Sequence, residues 1–375
     1  MIVRPLTEYC TLNMGQSPDS KTYNTQGKGL PFYQGNADFG ETHPITRVWC
    51  SAPVKVAEEG DILISVRAPI GAMNMAVERC CIGRGLAALT PIRNKCSKQF
   101  LYYALQSKVD SLIAQGTGST FKAISKKVLE ATRIPAYSTI AQEQIAETIG
   151  HVDNTIAVRR KQLALLDQLV KSRFIELFGD PKQNPKGYPV KEFDEISVLI
   201  TDGEHATPRR TDKGIYLLSA RNILNHALQL DDVDYIDEEE YIRIARRVVP
   251  QAGDVLISCS GSIGRCCVVP EELRFQMVRS AALIRFDDTI KPIFAEWLIS
   301  SDELQRQISM SATQSSQANL FQGKIRKLRG YVPPLELQEQ FAAFVEQTDK
   351  SKLAVQKGLQ ELEILKKSLM QQYFG

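Results

Sequence analysis

The sequence predicts a mixed α/β protein with an internal twofold repeat, in which two globular domains alternate with two long antiparallel helices that form a coiled coil. First, the segment GDILISVRAPIG, which begins at Gly60, recurs as GDVLISCSGSIG, which begins at Gly253. Second, QEQIAETI from Gln142 recurs as QEQFAAFV from Gln338. Third, each copy ends in a helix-forming segment that closes on Phe-Gly, with apolar residues spaced alternately by three and four. Because these segments keep their order at a separation well beyond the roughly 20 to 50 residues of a solenoid repeat, the chain consists of two copies of one unit.

The composition is that of an ordinary globular protein. Of the 375 residues, 43% are hydrophobic and 24% are charged, and no stretch approaches the roughly 18 consecutive apolar residues that cross a bilayer. The first ten residues lack the basic and apolar regions of a secretion signal, so we expect a cytoplasmic protein without membrane contact. The eight cysteines show no CxxC spacing, which favours reduced, buried thiols over a metal site.

The repeated glycine-aspartate segments predict a short buried strand that is entered through a turn and followed by a loop. Polar side chains flank this loop in both copies, such as Arg67 in the first and Ser260, Ser262 and Arg265 in the second. Small residues leave backbone amides accessible, and together with hydroxyl and guanidinium groups they suit phosphate oxygens. A plain turn explains the same composition equally well.

Three further stretches mix hydroxyl, amide and basic side chains, at residues 116–127, 200–210 and 312–327. Amide side chains can bind adenine edges through two hydrogen bonds, Arg can bind guanine, and Lys can hold a phosphate backbone in register. The net charge is only +3, so affinity for phosphate groups has to come from such local clusters. Solvated loops without a ligand are the alternative interpretation.

The segment 139–178 contains no proline and, at 1.5 Å per residue, predicts a helical rod of roughly 60 Å. Its predicted packing residues form one narrow stripe: Ile145, Ile149, Val152, Ile156, Leu163 and Leu166. The matching stripe of the second helix comprises Phe341, Val345, Val355, Leu359 and Leu362. Packing the helices against each other buries both narrow stripes at once. The alternative is that each helix docks on its own globular domain.

No catalytic motif is present: the sequence has no Walker loop, no HExxH, no GxSxG and no carboxylate pair with a positioned histidine. The four histidines, His43, His151, His205 and His226, are scattered along the chain. A catalytic or metal site built from them would need coincidences of folding, and His205 is better assigned to contact with a ligand. We therefore expect neither catalytic residues nor a bound metal.

The sequence resembles the specificity subunits of type I restriction-modification enzymes. The resemblance rests on the doubled GD(I/V)LIS and IG pattern, the stretch TDGEHATP from Thr201, and the doubled QEQ helix that ends in Phe-Gly. It covers nearly the whole chain. It implies two target-recognition domains of mixed α/β fold alternating with two helical regions, at residues 1–135, 136–180, 181–333 and 334–375.

The resemblance further implies that each recognition domain reads one half of a bipartite site in double-stranded DNA. The helices would set the unread spacer and dock methyltransferase subunits, two of them because the chain offers two equivalent faces. An endonuclease and translocase subunit would then join. S-adenosylmethionine, ATP and Mg would belong to these partners, so the chain itself is expected to be non-catalytic and to hold no cofactor.

Two other functions remain open at this point. A duplicated coiled-coil adaptor would organise proteins without touching DNA, and it would show no salt-dependent binding to a duplex. A nuclease or methyltransferase acting alone would require activity from the purified chain, and the missing motifs argue against it.

The side chains predicted to contact DNA are polar or basic and lie in or near these loops. In the first domain they are Gln16, Ser17, Asn36, Arg67, Thr117, Ser119 and Lys122. In the second domain they are Thr201, Asp202, His205, Thr207, Arg209, Arg210, Asn222, Ser260, Ser262, Arg265, Gln314, Gln317, Asn319 and Lys324. The first domain departs from the pattern, since it has APIG where the second has GSIG, and only MGQSP, from Met14, in place of the DGxH stretch.

Overall fold

The computed structural model describes residues 2–118, 122–312 and 319–375. The chain forms two compact units, of which the first comprises Met1–Lys161 with Gln356–Gly375 and the second comprises Gln162–Val355. Each unit combines strands and helices, and each contains a four-stranded antiparallel sheet of the same strand order. The predicted mixed α/β class and the internal repeat are confirmed.

The first unit is built on two larger sheets. Its strands are β1 (Val3–Pro5), β2 (Cys10–Met14), β3 (Tyr23–Asn24), β4 (Leu30–Tyr33), β5 (Trp49–Cys50), β6 (Val56–Ala57), β7 (Ile62–Ser65), β8 (Met73–Met75), β9 (Cys80–Ile82), β10 (Leu86–Pro91) and β11 (Arg133–Pro135). Its helices are α1 (Lys98–Gln106), α2 (Val109–Ala114), α3 (Lys126–Ala131) and the beginning of α4 (Thr139–Phe178). The central sheet has the order β2-β10-β7-β8, the second sheet has the order β3-β5-β4-β9-β6 with β4 and β9 parallel, and β1 pairs with β11.

The second unit repeats this plan. Its strands are β12 (Val190–Glu192), β13 (Ser197–Asp202), β14 (Ile215–Leu218), β15 (Ile223–Leu224), β16 (Ala227–Leu228), β17 (Asp234–Ile236), β18 (Val255–Ser258), β19 (Cys266–Val268), β20 (Phe275–Met277), β21 (Ala281–Phe286) and β22 (Arg329–Tyr331). Its helices are α5 (Glu238–Ala245), α6 (Pro292–Ile299), α7 (Asp302–Ala312), α8 (Gln322–Ile325) and the beginning of α9 (Leu335–Phe374). The sheet β13-β21-β18-β19 matches the central sheet of the first unit, and β14 runs parallel to β20 as β4 does to β9.

The repeated glycine-aspartate segment forms the turn and the central strand in each unit. Gly60 and Gly253 adopt φ values of 85° and 86°, which glycine tolerates without strain. The carboxylates of Asp61 and Asp254 are buried and accept backbone N–H groups three residues earlier, at 2.9 and 2.7 Å. All four residues of β7 and of β18 are buried, because their side chains alternate between two separate hydrophobic clusters. Burial on both faces explains the uninterrupted apolar run in each copy.

The repeated glutamine at the start of each long helix clamps that helix to its globular domain. Gln338 is fully buried, and its Oε1 accepts the backbone N–H of Lys291 at 2.8 Å. Its Nε2 donates to the carbonyl groups of Thr289 and Pro333 at 3.0 and 2.8 Å. Gln142 makes the three equivalent bonds in the first unit, at 2.9, 3.0 and 3.0 Å. The first glutamine of the QEQ motif therefore joins the helix to the domain and is not itself available to a ligand.

The Gln338→Ala variant is expected to destabilise the second unit by about 3 kcal/mol, because it removes three hydrogen bonds and leaves the buried Pro333 carbonyl without a partner. Urea unfolding of the full chain measures the effect. Gln340→Ala is the matched control, since Gln340 lies on the same helix but is exposed, and it should shift the unfolding free energy by less than about 0.5 kcal/mol. Equal unfolding midpoints for the two variants would contradict the clamp.

The hydrophobic core of each unit contains the start of one long helix and the end of the other. In the first unit, Ile145 and Ile149 near the start of α4 share a core with Phe374 at the end of α9. In the second unit, Phe341 near the start of α9 shares a core with Phe178 at the end of α4. Docking of a helix on its own domain, the alternative interpretation from the sequence, thus holds for the start of each helix. The end of the partner helix completes the same core.

Between these ends, ion pairs within each unit show that the helices are antiparallel. In the first unit, Asp153 lies 2.7 Å from Lys366 and Arg160 lies 2.8 Å from Glu363, so residue numbers rise along α4 while they fall along α9. Every predicted packing residue on the two stripes is buried or half-buried. None of the helices in the described part of the chain is both long enough and apolar enough to cross a membrane.

Candidate nucleic-acid interface

The stretch after β13 is organised around one carboxylate. Asp202, whose side chain is 21% exposed, accepts a hydrogen bond from Nε2 of His205 at 2.8 Å and another from the Arg247 guanidinium. His205 and Arg247 are more exposed, at 56% and 39%. Asp202 therefore positions two basic side chains at the surface. Thr201 is 9% exposed and its hydroxyl donates to the Asp202 carbonyl at 3.2 Å, which places it beneath the site.

The next two predicted contacts are ion-paired with an acidic strip, which we define as Asp231, Asp232, Asp234, Asp237, Glu238, Glu239 and Glu240. Arg209 lies 3.0 Å from Glu239, and Arg210 lies 2.9 Å from Asp234. Both arginines remain accessible, with 60% and 47% of their side chains exposed. A phosphate group can reach them only in competition with these carboxylates.

An open groove of about 520 Å³ lies between this stretch and α5. It is lined by Ala206, Thr207, Arg209, Glu239, Glu240, Ile242, Arg243 and Arg246. Glu240 is buried in the wall of the groove, where the Arg243 guanidinium donates to it at 2.8 Å and holds the pKa of its carboxyl below the ordinary value. Arg246 is exposed and forms no ion pair with a described residue. The groove therefore offers one unpaired guanidinium between paired ones.

Asn222 was predicted to contact DNA, and the structure shows that this prediction is wrong. Its side chain is only 1% exposed. Its Nδ2 donates to the carbonyl groups of Gln229 and Asp232 at 3.0 and 2.9 Å, and its Oδ1 accepts from the backbone and hydroxyl of Ser219 at 3.0 and 3.1 Å. The amide is fully used to fix the loop between β14 and β15. The Ser-x-x-Asn spacing is the signal for this capping role.

The loop after β18 presents hydroxyl groups at the surface, whereas part of its backbone is used internally. Ser262 is exposed, and Ser260 and Arg265 are half-buried. The backbone N–H groups of Gly264 and Arg265 donate to Ser258 at 2.9 and 3.0 Å, so these two amides are not open to phosphate as the sequence suggested. The loop after β7 has the same construction, with Ser65 accepting the Gly71 amide at 2.9 Å.

The remaining predicted contacts of the second unit are spread over its surface. Thr207 is exposed, and Asn319 and Lys324 are half-buried. Gln314 and Gln317, and Ser119 of the first unit, lie outside the described residues.

In the first unit, three predicted contacts come together beside the loop after β7. Ala123 forms isolated antiparallel β-bridges with Arg67 and with Thr117. Thr117 and Ala123 exchange two backbone hydrogen bonds, at 3.0 and 2.9 Å. The carbonyl of Lys122 accepts the Ala68 amide at 3.1 Å. Arg67, Thr117 and Lys122 are all exposed, so the segments 116–118 and 122–127 contribute to one polar surface with the loop. Asn36 is half-buried in the turn after β4.

Gln16 and Ser17 lie beside an arginine that the sequence analysis missed. The backbone N–H of Gln16 donates to the Ile82 carbonyl at 3.0 Å, and the Ser17 hydroxyl accepts the backbone N–H of Arg84 at 3.3 Å. Gln16 and Arg84 are exposed, and Ser17 is half-buried. Arg84 forms no ion pair with any residue of the described ranges.

The second unit has the same arrangement at equivalent positions. The Glu204 amide donates to the Met277 carbonyl at 2.8 Å, and the backbone N–H of Arg279 donates to Glu204 at 3.0 Å. Arg279 is exposed and, within the described residues, has no ion-pair partner. Arg279 thus corresponds to Arg84. The signal for this pair in the sequence is the alignment of CIGRGLA, from Cys81, with QMVRSAA, from Gln276, in the repeat.

Chemistry other than binding has little support in the described residues. All eight cysteines are buried and free, and burial raises the pKa of the Cys80 and Cys259 thiols to about 12, so they remain protonated at neutral pH. No cluster of three or more His, Cys, Asp or Glu side chains within the described ranges could hold a metal ion.

Comparison with known protein families also finds two copies of one unit in the chain. The family model of the type I restriction modification DNA specificity domain matches residues 1–168 and, a second time, residues 191–364. The chain belongs to this family. The resemblance carried by the repeated motifs is confirmed.

Individual relatives agree with this assignment. The chain is 40% identical over 164 residues to a protein named as the MjaX specificity subunit of Methanocaldococcus jannaschii. The aligned segment covers 44% of this chain and 39% of the relative. It is 22% identical over 315 residues to the EcoBI specificity subunit of Escherichia coli, 76% of this chain and 66% of the relative. Both alignments thus span less than two thirds of the relative's own length.

The fold is shared with a solved structure of the same kind. The crystal structure of the type I restriction-modification system S subunit from M. genitalium aligns with a TM-score of 0.65 and 16% identity, over 100% of this chain and 96% of that one. At this identity the similarity establishes the fold.

Proposed function

We propose that this specificity-family chain reads a bipartite site in double-stranded DNA, one half with each unit. The observation that carries the proposal is the doubled surface formed by the turn after the first strand of the central sheet and, beside it, an exposed arginine without an ion pair to any described residue. In the first unit this surface consists of Gln16, Ser17 and Arg84, and in the second of His205 and Arg279 beside Glu204. Arginines of this kind bind phosphate or guanine, and amide, hydroxyl and imidazole groups read base edges.

The other accessible predicted residues extend this surface in each unit. In the first unit they are Asn36, Arg67, Thr117 and Lys122, and in the second they are Asp202, Thr207, Arg209, Arg210, Ser260, Ser262, Arg265, Asn319 and Lys324. Thr201 is buried beneath this surface and contributes to recognition by supporting Asp202, whose carbonyl accepts its hydroxyl. Ser119, Gln314 and Gln317 remain proposed contacts on the strength of their sequence context alone.

Methyltransferase subunits are the proposed occupants of the exposed apolar positions on the long helices. Leu169 and Leu365 occupy equivalent positions in the two copies and are 48% and 46% exposed, outside the packing stripes. Two equivalent faces on one chain favour two methyltransferase subunits, which an endonuclease and translocase subunit would join. These partners would use S-adenosylmethionine, ATP and Mg, with this chain as their non-catalytic cytoplasmic guide and its helices fixing the spacer.

The proposal is tested by mapping methylated adenines by single-molecule sequencing. DNA from cells that express this chain with its methyltransferase is compared with DNA from cells that lack only this chain. We expect a split motif with a fixed unread spacer that disappears when the chain is absent. No motif, despite an active methyltransferase in a stable complex, would overturn the proposal and favour an adaptor that does not read DNA.

A further inference from the structure

The two globular domains differ strongly in charge. Residues 1–135 contain 16 Lys and Arg against 10 Asp and Glu, whereas residues 181–333 contain 20 against 21. The first domain is therefore basic and the second slightly acidic, although both belong to one repeat. A domain that binds a polyanion gains nothing in affinity from extra carboxylates, so their position in the second domain calls for a functional explanation.

The carboxylates of the acidic strip form ion pairs with arginines of the second domain. Asp234 contacts Arg210 and Arg221, each at 2.9 Å, and Glu239 contacts Arg209 at 3.0 Å. The same strip provides the partners of Arg243 and Arg274. In the first domain, by contrast, Arg67, Arg84 and Lys122 are exposed and form no ion pair with a described residue. Arg246 and Arg279 of the second domain also lack an ion pair with a described residue, so the difference in pairing concerns the arginines beside the acidic strip.

The backbone holds the strip beside the arginines. The Thr211 amide donates to the Tyr235 carbonyl at 2.9 Å, and the Arg209 amide donates to Glu240 Oε1 at 3.2 Å. The carboxylates consequently stay close to Arg209 and Arg210 even when a side-chain ion pair breaks. The acidic strip is a fixed feature of this surface rather than a mobile cover.

We propose that the acidic strip makes the second domain selective, by occupying Arg209 and Arg210 as counterions and so weakening its binding to non-cognate DNA. The inference rests on the proposed function, because it needs this surface to face DNA. Binding of any duplex depends on unpaired cations, whereas a cognate half-site adds base contacts that offset the displacement of the carboxylates. Exposed ion pairs are weak, so a cognate site can displace them and random sequence gains little by doing so.

The test uses the double variant Asp234→Asn, Glu239→Gln of the full chain and a mixed-sequence duplex of about 30 base pairs. Fluorescence anisotropy over a series of salt concentrations gives the affinity and its salt dependence. We expect about tenfold tighter binding at low salt and a slope of log K against log salt steeper by up to about 1.8, which corresponds to two additional phosphate contacts. Adding Arg209→Ala and Arg210→Ala to the variant should remove most of the gain, and adding Arg221→Ala, which removes the other partner of Asp234, should remove the rest.

Glu271→Gln, Glu272→Gln is the matched control, because it removes the same charge from exposed residues of the same domain that form no ion pair within the described part of the chain. A gain equal to that of the control would overturn the inference, since it would reduce the effect to net charge. Glu239→Gln alone, at a side chain that is 83% exposed, provides a variant whose folding is not in question and should show about half the change in slope.

Failure of the inference is distinguishable from failure of the proposed function. If the unmodified chain and all variants bind no duplex at any salt concentration, and no split methylation motif exists, the proposed function has failed. If the unmodified chain binds DNA and directs methylation but the double variant behaves like its control, only the role of the acidic strip is refuted.

Discussion

The Phe341→Ala variant should lose about 3 to 5 kcal/mol of unfolding free energy, the usual range for a fully buried phenylalanine. Phe341 has no exposed surface, and its ring centroid lies 5.4 Å from that of Phe174, 5.5 Å from Phe178 and 6.0 Å from Trp297. These rings come from α4, α9 and α6, so the cavity would loosen the point at which both long helices enter the second unit. Denaturant unfolding monitored by tryptophan fluorescence reports on this core through Trp297, and a Trp49→Phe background removes the signal of the first unit.

Phe321→Ala is the control for this prediction, since Phe321 belongs to the same unit but is 62% exposed, and its removal should change stability by less than about 0.5 kcal/mol. The functional consequence follows from the separation of the two units. A loosened second core should weaken recognition of one half-site and spare the other. Similar losses for the two variants would contradict the assignment of Phe341 to the core.

The sequence predicted the parts of the fold that depend on local pattern. The strand β7 and its copy β18 are encoded by a glycine that permits the turn, a buried aspartate that closes it, and three apolar residues followed by a buried serine. The long helices are encoded by heptad spacing over 40 residues each. Doubling strengthened both predictions, because a pattern that recurs in order is unlikely to arise by chance.

The second sheet of the first unit was beyond sequence reasoning. Its strands β3, β5 and β6 have two residues each, too few for any alternation to appear. The site depended equally on tertiary structure. Arg210 meets Asp234 across 24 positions, and Asp202 meets Arg247 across 45, so the pairing of predicted contacts could not be foreseen. Asn222 was wrongly predicted because composition does not show that a polar residue is buried, and only the Ser-x-x-Asn spacing indicates its capping role.

Apart from the TDGEHATP stretch, the residues that reveal the family are distinct from those proposed to read DNA. Gln142, Ser65 and Asp61, and their copies in the second unit, are buried and satisfied within the chain. They recur because both units need the same turn and the same clamp. Residues that face a ligand need not recur, since the two half-sites can differ in sequence, and this explains why His205 in the second unit stands where the first has Ser17.

The second large effect concerns the exposed leucines of the helices. Leu169→Asp and Leu365→Asp are each expected to remove one methyltransferase subunit from the complex, and the double variant should remove both. A charge buried at a protein interface without a partner costs several kcal/mol, which corresponds to at least a hundredfold loss of affinity. Co-purification followed by mass determination of the intact complex gives the number of bound subunits.

Gln168→Asp provides the control for docking, because it places the same charge at an exposed neighbouring position of α4. Two bound subunits for the control, one for each single variant and none for the double variant would establish two equivalent docking faces. Loss of both subunits from either single variant would instead mean that the methyltransferases bind cooperatively or as a preformed pair. Retention of both by the double variant would place docking elsewhere on the chain and leave the exposed leucines without a partner role.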